Sequence, residues 1–319
     1  MIELAENVIK GQNRAVARAI SWIENDHELK ESLIDQIYPY CGNAIVWGIT
    51  GPPGSGKSSL ADHLIIRMRA LGKKVAVIAV DPSSPFSGGA ILGDRIRMQK
   101  HATDEGVFIR SMASRGHLGG VSVATSDAIK VLDAAGYNLI LIETIGVGQT
   151  EIEVMELSDV VLLVLVPGLG DEIQALKAGI MEIGDVFVIN KSDRDDADKI
   201  RAEVDYMLEF KEQNENPVAN PIVMTSAKLN EGIEQLMQDT EKYLHEITLK
   251  GLLESRRKSR IYSEINRIMT GKIEDELKVF IAKKEKINTW IEKVYQKKCS
   301  IYSLINRNFK AFVKEYKKP

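Results

Sequence analysis

Residues 44–60 read AIVWGITGPPGSGKSSL. The first seven are continuously apolar and partly β-branched, as expected of a strand covered on both faces. Residues 51–58, GPPGSGKS, then match GxxxxGK[ST], and SSLADHLIIRMRALG (58–72) opens a helical pattern at once. A glycine-rich turn between a buried strand and a helix N-terminus has the physics of a phosphate cradle. Gly51, Gly54 and Gly56 let successive backbone N–H groups converge on a phosphate, and the helix adds the positive end of its dipole. Lys57 supplies a point charge between β- and γ-phosphates and Ser58 a hydroxyl for Mg²⁺, with Ser55 and Ser59 completing the nucleotide-binding stretch. The flanking strand and helix separate this motif from a chance glycine-rich turn.

Further apolar runs follow outward from this segment: KVAVIAV (74–80), VFI (107–109), NLILIET (138–144), DVVLLVLV (159–166), VFVIN (186–190) and PIVMT (221–225). Interleaved with helical patterns such as 122–136, which ends at Gly136 as a C′ glycine, they predict a doubly wound α/β domain of the P-loop NTPase fold. Its sheet is mostly parallel and flanked by helices. Upstream, Val16, Ala19, Ile20 and Ile23 at helical spacing predict one or two N-terminal helices ending near Pro39. Beyond about residue 250 the chain becomes helical and basic. The division expected is an N-terminal helical segment (1–40), a nucleotide-binding domain (41–250) and a helical C-terminal extension (251–319), a candidate dimerisation arm.

The 319 residues have ordinary globular composition, 44% hydrophobic and 27% charged. The net charge of −3 conceals an asymmetry: residues 251–319 carry 18 Lys+Arg against 8 Asp+Glu, a local +10, which leaves −13 for residues 1–250. With few aromatics to stack on bases, that basic segment reads as a solvated helix face rather than a nucleic-acid surface. Cys41 and Cys299 lie in no metal-ligand spacing, which suits a reducing compartment. The N-terminus lacks an apolar signal core, and no run approaches 18 apolar residues. A cytoplasmic protein without a membrane span is expected.

NKSD at 190–193, ending the strand VFVIN, fits NKxD. The Asp193 carboxylate accepts from the N1–H and N2–H₂ of guanine, a pattern adenine does not offer. Asn190 would tie this loop to the phosphate-binding segment, and the Lys191 stem would cover the ring. Ser226, Ala227 and Lys228 follow the strand PIVMT, where a backbone N–H can meet guanine O6. Together these residues favour GTP/GDP over ATP.

Asp81 and Glu143 end strands at the edge where ligands of such sheets gather, and are candidates for the outer sphere of Mg²⁺. Gly146 is placed to donate its N–H to a γ-phosphate, with Gln149 nearby. Asp94, in the glycine-rich GGAILGDRIRM, is a candidate for the metal or the attacking water. Lys177, in PGLGDEIQALKAG (167–179), is a candidate third switch element. Alternatives remain open: strand-end acids also cap helices, Asp171 can be an N-cap with Lys177 solvated, and His117 in RSMASRGHLGG (110–120) reads equally as surface polar.

The combination of GITGPPGSGKSSL, VDPSSPFSGGAILGDRIRM, RGHLGG, ETIGVGQTE, PGLGDEIQALKAGI and NKSD closely resembles the MeaB/ArgK GTPases, whose human relative is the methylmalonic aciduria type A protein. The resemblance runs from ARAISWIE near residue 17 to about residue 232. It implies a GTPase chaperone for an adenosylcobalamin-dependent acyl-CoA mutase, usually methylmalonyl-CoA mutase, and a homodimer with C-terminal helical arms. It also implies that Asp81, Asp94 and Glu143 are metal- or switch-associated and that Lys177 belongs to a third switch. With the phosphate-contacting Lys57 and Gly146 read from the residues themselves, the candidate catalytic set is Lys57, Asp94, Gly146 and Lys177. Beyond residue 240 the Lys-rich tail departs from the family pattern. Two other classes share the nucleotide logic: a metal-insertion GTPase, for which no His-rich tract or cysteine pair is present, and a kinase passing the γ-phosphate to an acceptor other than water.

Overall fold

The computed structural model describes residues 2–82, 99–101, 103–114, 120–144, 152, 155–168, 180–212, 218–283 and 287–316. Three helices come first: α1 (Glu3–Ile9), α2 (Asn13–Glu24) and α3 (Lys30–Ile37). Then follow β1 (Ile45–Thr50), α4 (Lys57–Ala70), β2 (Val75–Pro82), β3 (Val107–Ser114), α5 (Gly120–Ala134), β4 (Leu139–Thr144) and β5 (Val160–Leu165). A short α6 (Ile180–Ile183) leads to β6 (Val186–Asn190), α7 (Ala197–Glu212), β7 (Ile222–Thr225) and α8 (Ile233–Leu249). The chain continues as α9 (Leu252–Lys283), α10 (Ile287–Tyr295) and α11 (Ile301–Tyr316).

All seven apolar runs are strands of one parallel sheet, in the order β3-β2-β4-β1-β5-β6-β7. Strand alternation divides the apolar side chains between two faces. Val46, Ala76, Ile78, Ile140 and Ile142 lie with Val16, Ile20, Leu33 and Leu132 from α2, α3 and α5. Trp47, Ile49, Val77, Leu141 and Leu162 lie with Leu60 and Leu64 of α4 and Leu236 of α8. Leu163, Leu165, Phe187 and Ile189 pack against Ile200 and Val204 of α7. Because Leu163 alternates with Leu162, α7 covers the same face as α2 and α5.

Two differences from the sequence reading have physical causes. Helix α1 is too short to announce itself by periodicity, and its Leu4, Ala5 and Val8 are buried by packing rather than held by propensity. Strand β3 runs five residues past Ile109, into the polar RSMAS, because it pairs with β2 from Val75↔Val107 to Pro82↔Ser114 at an end of the sheet order.

By compactness the chain forms two units, Met1–Arg260 and Ile261–Pro319. In the second, the rings of Phe280 and Phe312 meet edge-on with centroids 5.2 Å apart. Among the described residues no helix is long and apolar enough to cross a membrane.

The strand order positions the site. From β1 the chain leaves toward β2 and β3, returns at β4 beside β1, and then crosses to β5 on the other side. The direction of winding therefore reverses at β1, and the C-terminal ends of β1, β4 and β5 open the crevice where such sheets take ligands.

Candidate nucleotide-binding site

The glycine-rich loop leaves β1 at this crevice. Gly51 has φ +139°, and a Cβ there would lie 2.1 Å from the carbonyl oxygen of Val164 on β5. Gly56 has φ +93°, and its Cβ would lie 2.3 Å from Asn190 Nδ2. Both positions need glycine, for backbone conformation and for the closeness of the neighbouring chain. Lys57, buried at the first position of α4, donates from Nζ to the carbonyls of Gly51 (2.7 Å) and Pro52 (3.1 Å). The Ser55 N–H closes the turn onto the Pro52 carbonyl at 3.2 Å. Ser59 follows on the first turn of α4.

One residue into α4, Ser58 donates its hydroxyl to Glu143 Oε1 of β4 at 2.6 Å. Glu143 is buried at the C-terminal end of its strand, in register with Ala79 and Ile49. A hydroxyl and a carboxylate side by side form an oxygen donor set that fits Mg²⁺, which takes few protein ligands and retains waters. The backbone of Asp81 lies two residues beyond Ala79 on β2, at the same sheet edge. Asp94, Gly146, Gln149, His117, Asp171 and Lys177 lie outside the described residues.

On the other side of β1, β6 ends at Asn190, whose buried side chain makes three connections. Nδ2 donates to the Ser55 carbonyl (2.7 Å), and Oδ1 accepts from Thr225 Oγ1 (3.3 Å) and the Ala227 N–H (3.1 Å). Lys191, held at φ +59°, donates Nζ to the Gly54 carbonyl at 2.7 Å. The Ser192 N–H reaches the Thr225 carbonyl at 3.0 Å. Asp193 is exposed and accepts from the Ser226 hydroxyl at 2.7 Å. That hydrogen bond is the main reason its carboxyl is held below the usual carboxylate range, with the charges of Lys228 and Arg194 adding to it.

The structure thus gathers residues 51–59, Glu143, 190–193 and 226–228 at one edge of the sheet. Sequence reasoning passed over Thr225 and His63, which hold this loop system from inside. Thr225 bonds Asn190, and His63 Nε2 lies 2.8 Å from the Ala227 carbonyl. A histidine at helical spacing has no local signature that would have marked it.

The family model of the methylmalonyl-CoA mutase-associated GTPase MeaB matches residues 16–282. A relative in Pyrococcus abyssi, named as a GTPase, is 47% identical over 313 residues, covering 98% of this chain and 96% of its own length. The mitochondrial methylmalonic aciduria type A homolog of Mus musculus is 34% identical over 274 residues, covering 81% of this chain and 66% of its own. A crystal structure described as an LAO/AO transport system kinase matches with a TM-score of 0.74 and 26% identity, over 98% of this chain and 97% of that one. With a phosphate loop and an NKxD loop bonded to one another at the switch point of a parallel sheet, the chain is a P-loop GTPase and belongs to the MeaB family.

Proposed function

We propose that this GTPase is a chaperone of an adenosylcobalamin-dependent acyl-CoA mutase of the methylmalonyl-CoA mutase type, gating the loading or protection of its cofactor. The observation that carries the reading is the match of the MeaB model from residue 16 to 282, whose description names association with that mutase. The site geometry supports the nucleotide part. Asn190 and Lys191 bond the carbonyls of Ser55 and Gly54, so base and phosphate loops form one preorganised receptor for a purine nucleotide.

In this reading the glycine cradle of Gly51, Gly54 and Gly56 orients N–H donors on the phosphates and Lys57 neutralises their charge. Asp193 accepts from the guanine N1–H and N2–H₂, while Ser226, Ala227 and Lys228 shape the O6 side. Ser58, with Glu143 behind it and Asp81 and Asp94 as further acids, would hold Mg²⁺, which when bound would neutralise phosphate charge. Gly146 donates to the γ-phosphate, and Asp94 and Lys177 complete the hydrolytic arrangement.

We place the protein in the cytoplasm as a homodimer. Ile261, Ile265, Ile268, Met269 and Ile273 of α9 are exposed at helical spacing, an apolar stripe suited to another helix. Among the described residues no three His, Cys, Asp or Glu side chains form a group that could hold a metal ion.

The test is GTP turnover with and without a candidate mutase, with Lys57→Ala as the inactive control. A mutase-dependent change in rate is expected. A rate indifferent to every cobalamin-dependent mutase offered would overturn the chaperone reading, and labelled phosphate on an acceptor other than water would favour a kinase.

A further inference from the structure

Helix α4 begins at the phosphate loop, yet its middle faces the base loop. His63 Nε2 lies 2.8 Å from the Ala227 carbonyl oxygen, 164 residues away in sequence. A carbonyl only accepts, so Nε2 carries the proton, and both the neutral Nε2–H tautomer and the imidazolium make this bond. One turn on, Arg67 donates from Nη2 to Asn230 Oδ1 at 3.3 Å and lies 3.8 Å from Glu234. Just outside those anchors the turn is closed by paired backbone bonds of 3.1 Å, Ser226 N–H to the Glu231 carbonyl and Glu231 N–H to the Ser226 carbonyl.

Ala227 is therefore oriented on both sides. The peptide before it is set by its own N–H, which donates to Asn190 Oδ1 at 3.1 Å. The peptide after it is set by His63. In a trans peptide the C=O and the N–H point in opposite directions, so drawing the Ala227 carbonyl toward α4 turns the Lys228 N–H away from α4. The Lys228 side chain is near enough to Asp193 to help lower its pKa, which puts this turn beside the base-selecting carboxylate.

We infer that His63 is a positioning residue for base recognition: by fixing the Ala227–Lys228 peptide it sets the preference for guanine over adenine nucleotides. The inference deepens the guanine-site reading given above and rests on it. Removing the donor leaves a partly buried carbonyl without that partner and frees the peptide to rotate. The effect falls on the O6 side of the purine and spares the phosphates.

The experiment is calorimetric titration of GDP and ADP into the full chain, wild type against His63→Ala and His63→Gln, with thermal melts alongside. H63A is expected to weaken GDP binding about tenfold while leaving ADP binding nearly unchanged, so that the GDP:ADP ratio falls. H63Q, whose amide nitrogen can occupy the position of Nε2, is expected to restore the ratio. An H63A protein with the wild-type ratio overturns the inference, even if its melting temperature drops, because a merely structural role would weaken both nucleotides alike. Should H63A not yield folded protein, His63→Asn provides the same contrast, its amide being too short to reach Ala227. A wild-type ratio near one would instead overturn the guanine-site reading itself, and the role of His63 with it.

Discussion

The ammonium of Lys191 donates to the carbonyl of Gly54 across 2.7 Å, joining the base motif to the phosphate loop. Beside it, Asn190 Nδ2 holds the Ser55 carbonyl at the same distance of 2.7 Å. Two consecutive carbonyls of the loop are thus anchored by two consecutive residues of NKSD. The Ser55 carbonyl turned toward β6 leaves the Gly56 N–H of the same peptide turned the other way, the orientation an anion-binding loop requires, while the Ser55 N–H is held by the Pro52 carbonyl.

Asn190→Ala removes three hydrogen bonds at a buried position and leaves the Ser55 carbonyl and the Ala227 N–H without that partner. The expected loss in GDP affinity is at least tenfold, accompanied by a lower melting temperature. Lys191→Ala removes one bond at a more open position and is expected to weaken GDP on the order of fivefold with little change in melting. Titration calorimetry and thermal melts of the two variants check the order, and a Lys191→Ala effect larger than that of Asn190→Ala would contradict it.

Selectivity centres on the charge of Asp193. Replacing it with Asn exchanges an acceptor-only group for an amide that also donates, which suits the N1–H and O2 of xanthine better than the N1–H and N2–H₂ of guanine. Asp193→Asn is expected to lose GDP affinity and gain affinity for xanthosine diphosphate. Competition between the two nucleotides measures the inversion; a variant that still prefers GDP would show that the carboxylate does not select the base.

The pH dependence follows from Ser226. Its hydroxyl is the chief cause of the lowered Asp193 pKa, so the carboxylate stays charged to lower pH than an ordinary Asp. A depressed pKa means that charge-dependent binding is present at neutral pH and is lost as pH falls through the depressed value. Ser226→Ala raises that value toward the ordinary one. The acid limb of GDP affinity, followed from about pH 7 to about pH 4, is expected to begin at higher pH in the variant. An unmoved limb would mean that Ser226 does not control the charge of Asp193.

What was legible in the sequence is what local chemistry decides. GPPGSGKS and NKSD carry their geometry within a few residues, and a strand buried on both faces has to be apolar throughout, which marks β1, β4, β5 and β6 without ambiguity. What was not legible depends on partners distant in sequence. The bond of His63 to Ala227 leaves no mark on the residues around either of them. The basic C-terminal segment was read as a solvated face, yet Arg256, Arg257 and Arg260 at its start are bound to carboxylates of the sheet. Charge count cannot tell a solvated arginine from a paired one. Only the fold shows that Asp159 and Asp185 are buried at the starts of β5 and β6.

That pairing leads to a prediction about stability rather than chemistry. Asp159 is 0% exposed and accepts from the Val46 N–H (3.0 Å), from Arg257 Nε (3.0 Å) and Nη2 (2.7 Å), and from Arg260 Nη2 (3.1 Å). Hydrogen bonding to Asp159 raises the pKa of Arg257; burial lowers that of Arg260, against the attraction of the same carboxylate. Asp159→Ala therefore leaves the guanidinium of Arg260 short of its compensating charge, and about 3–5 kcal/mol of destabilisation is expected. Asp159 precedes β5, at the end of the sheet opposite the nucleotide loops, so the folded fraction should bind GDP with near wild-type affinity. Denaturant unfolding together with GDP titration separates the two effects. A variant that unfolds at the wild-type midpoint would show that the arginine cluster rests on the surface without holding the start of α9 to the sheet.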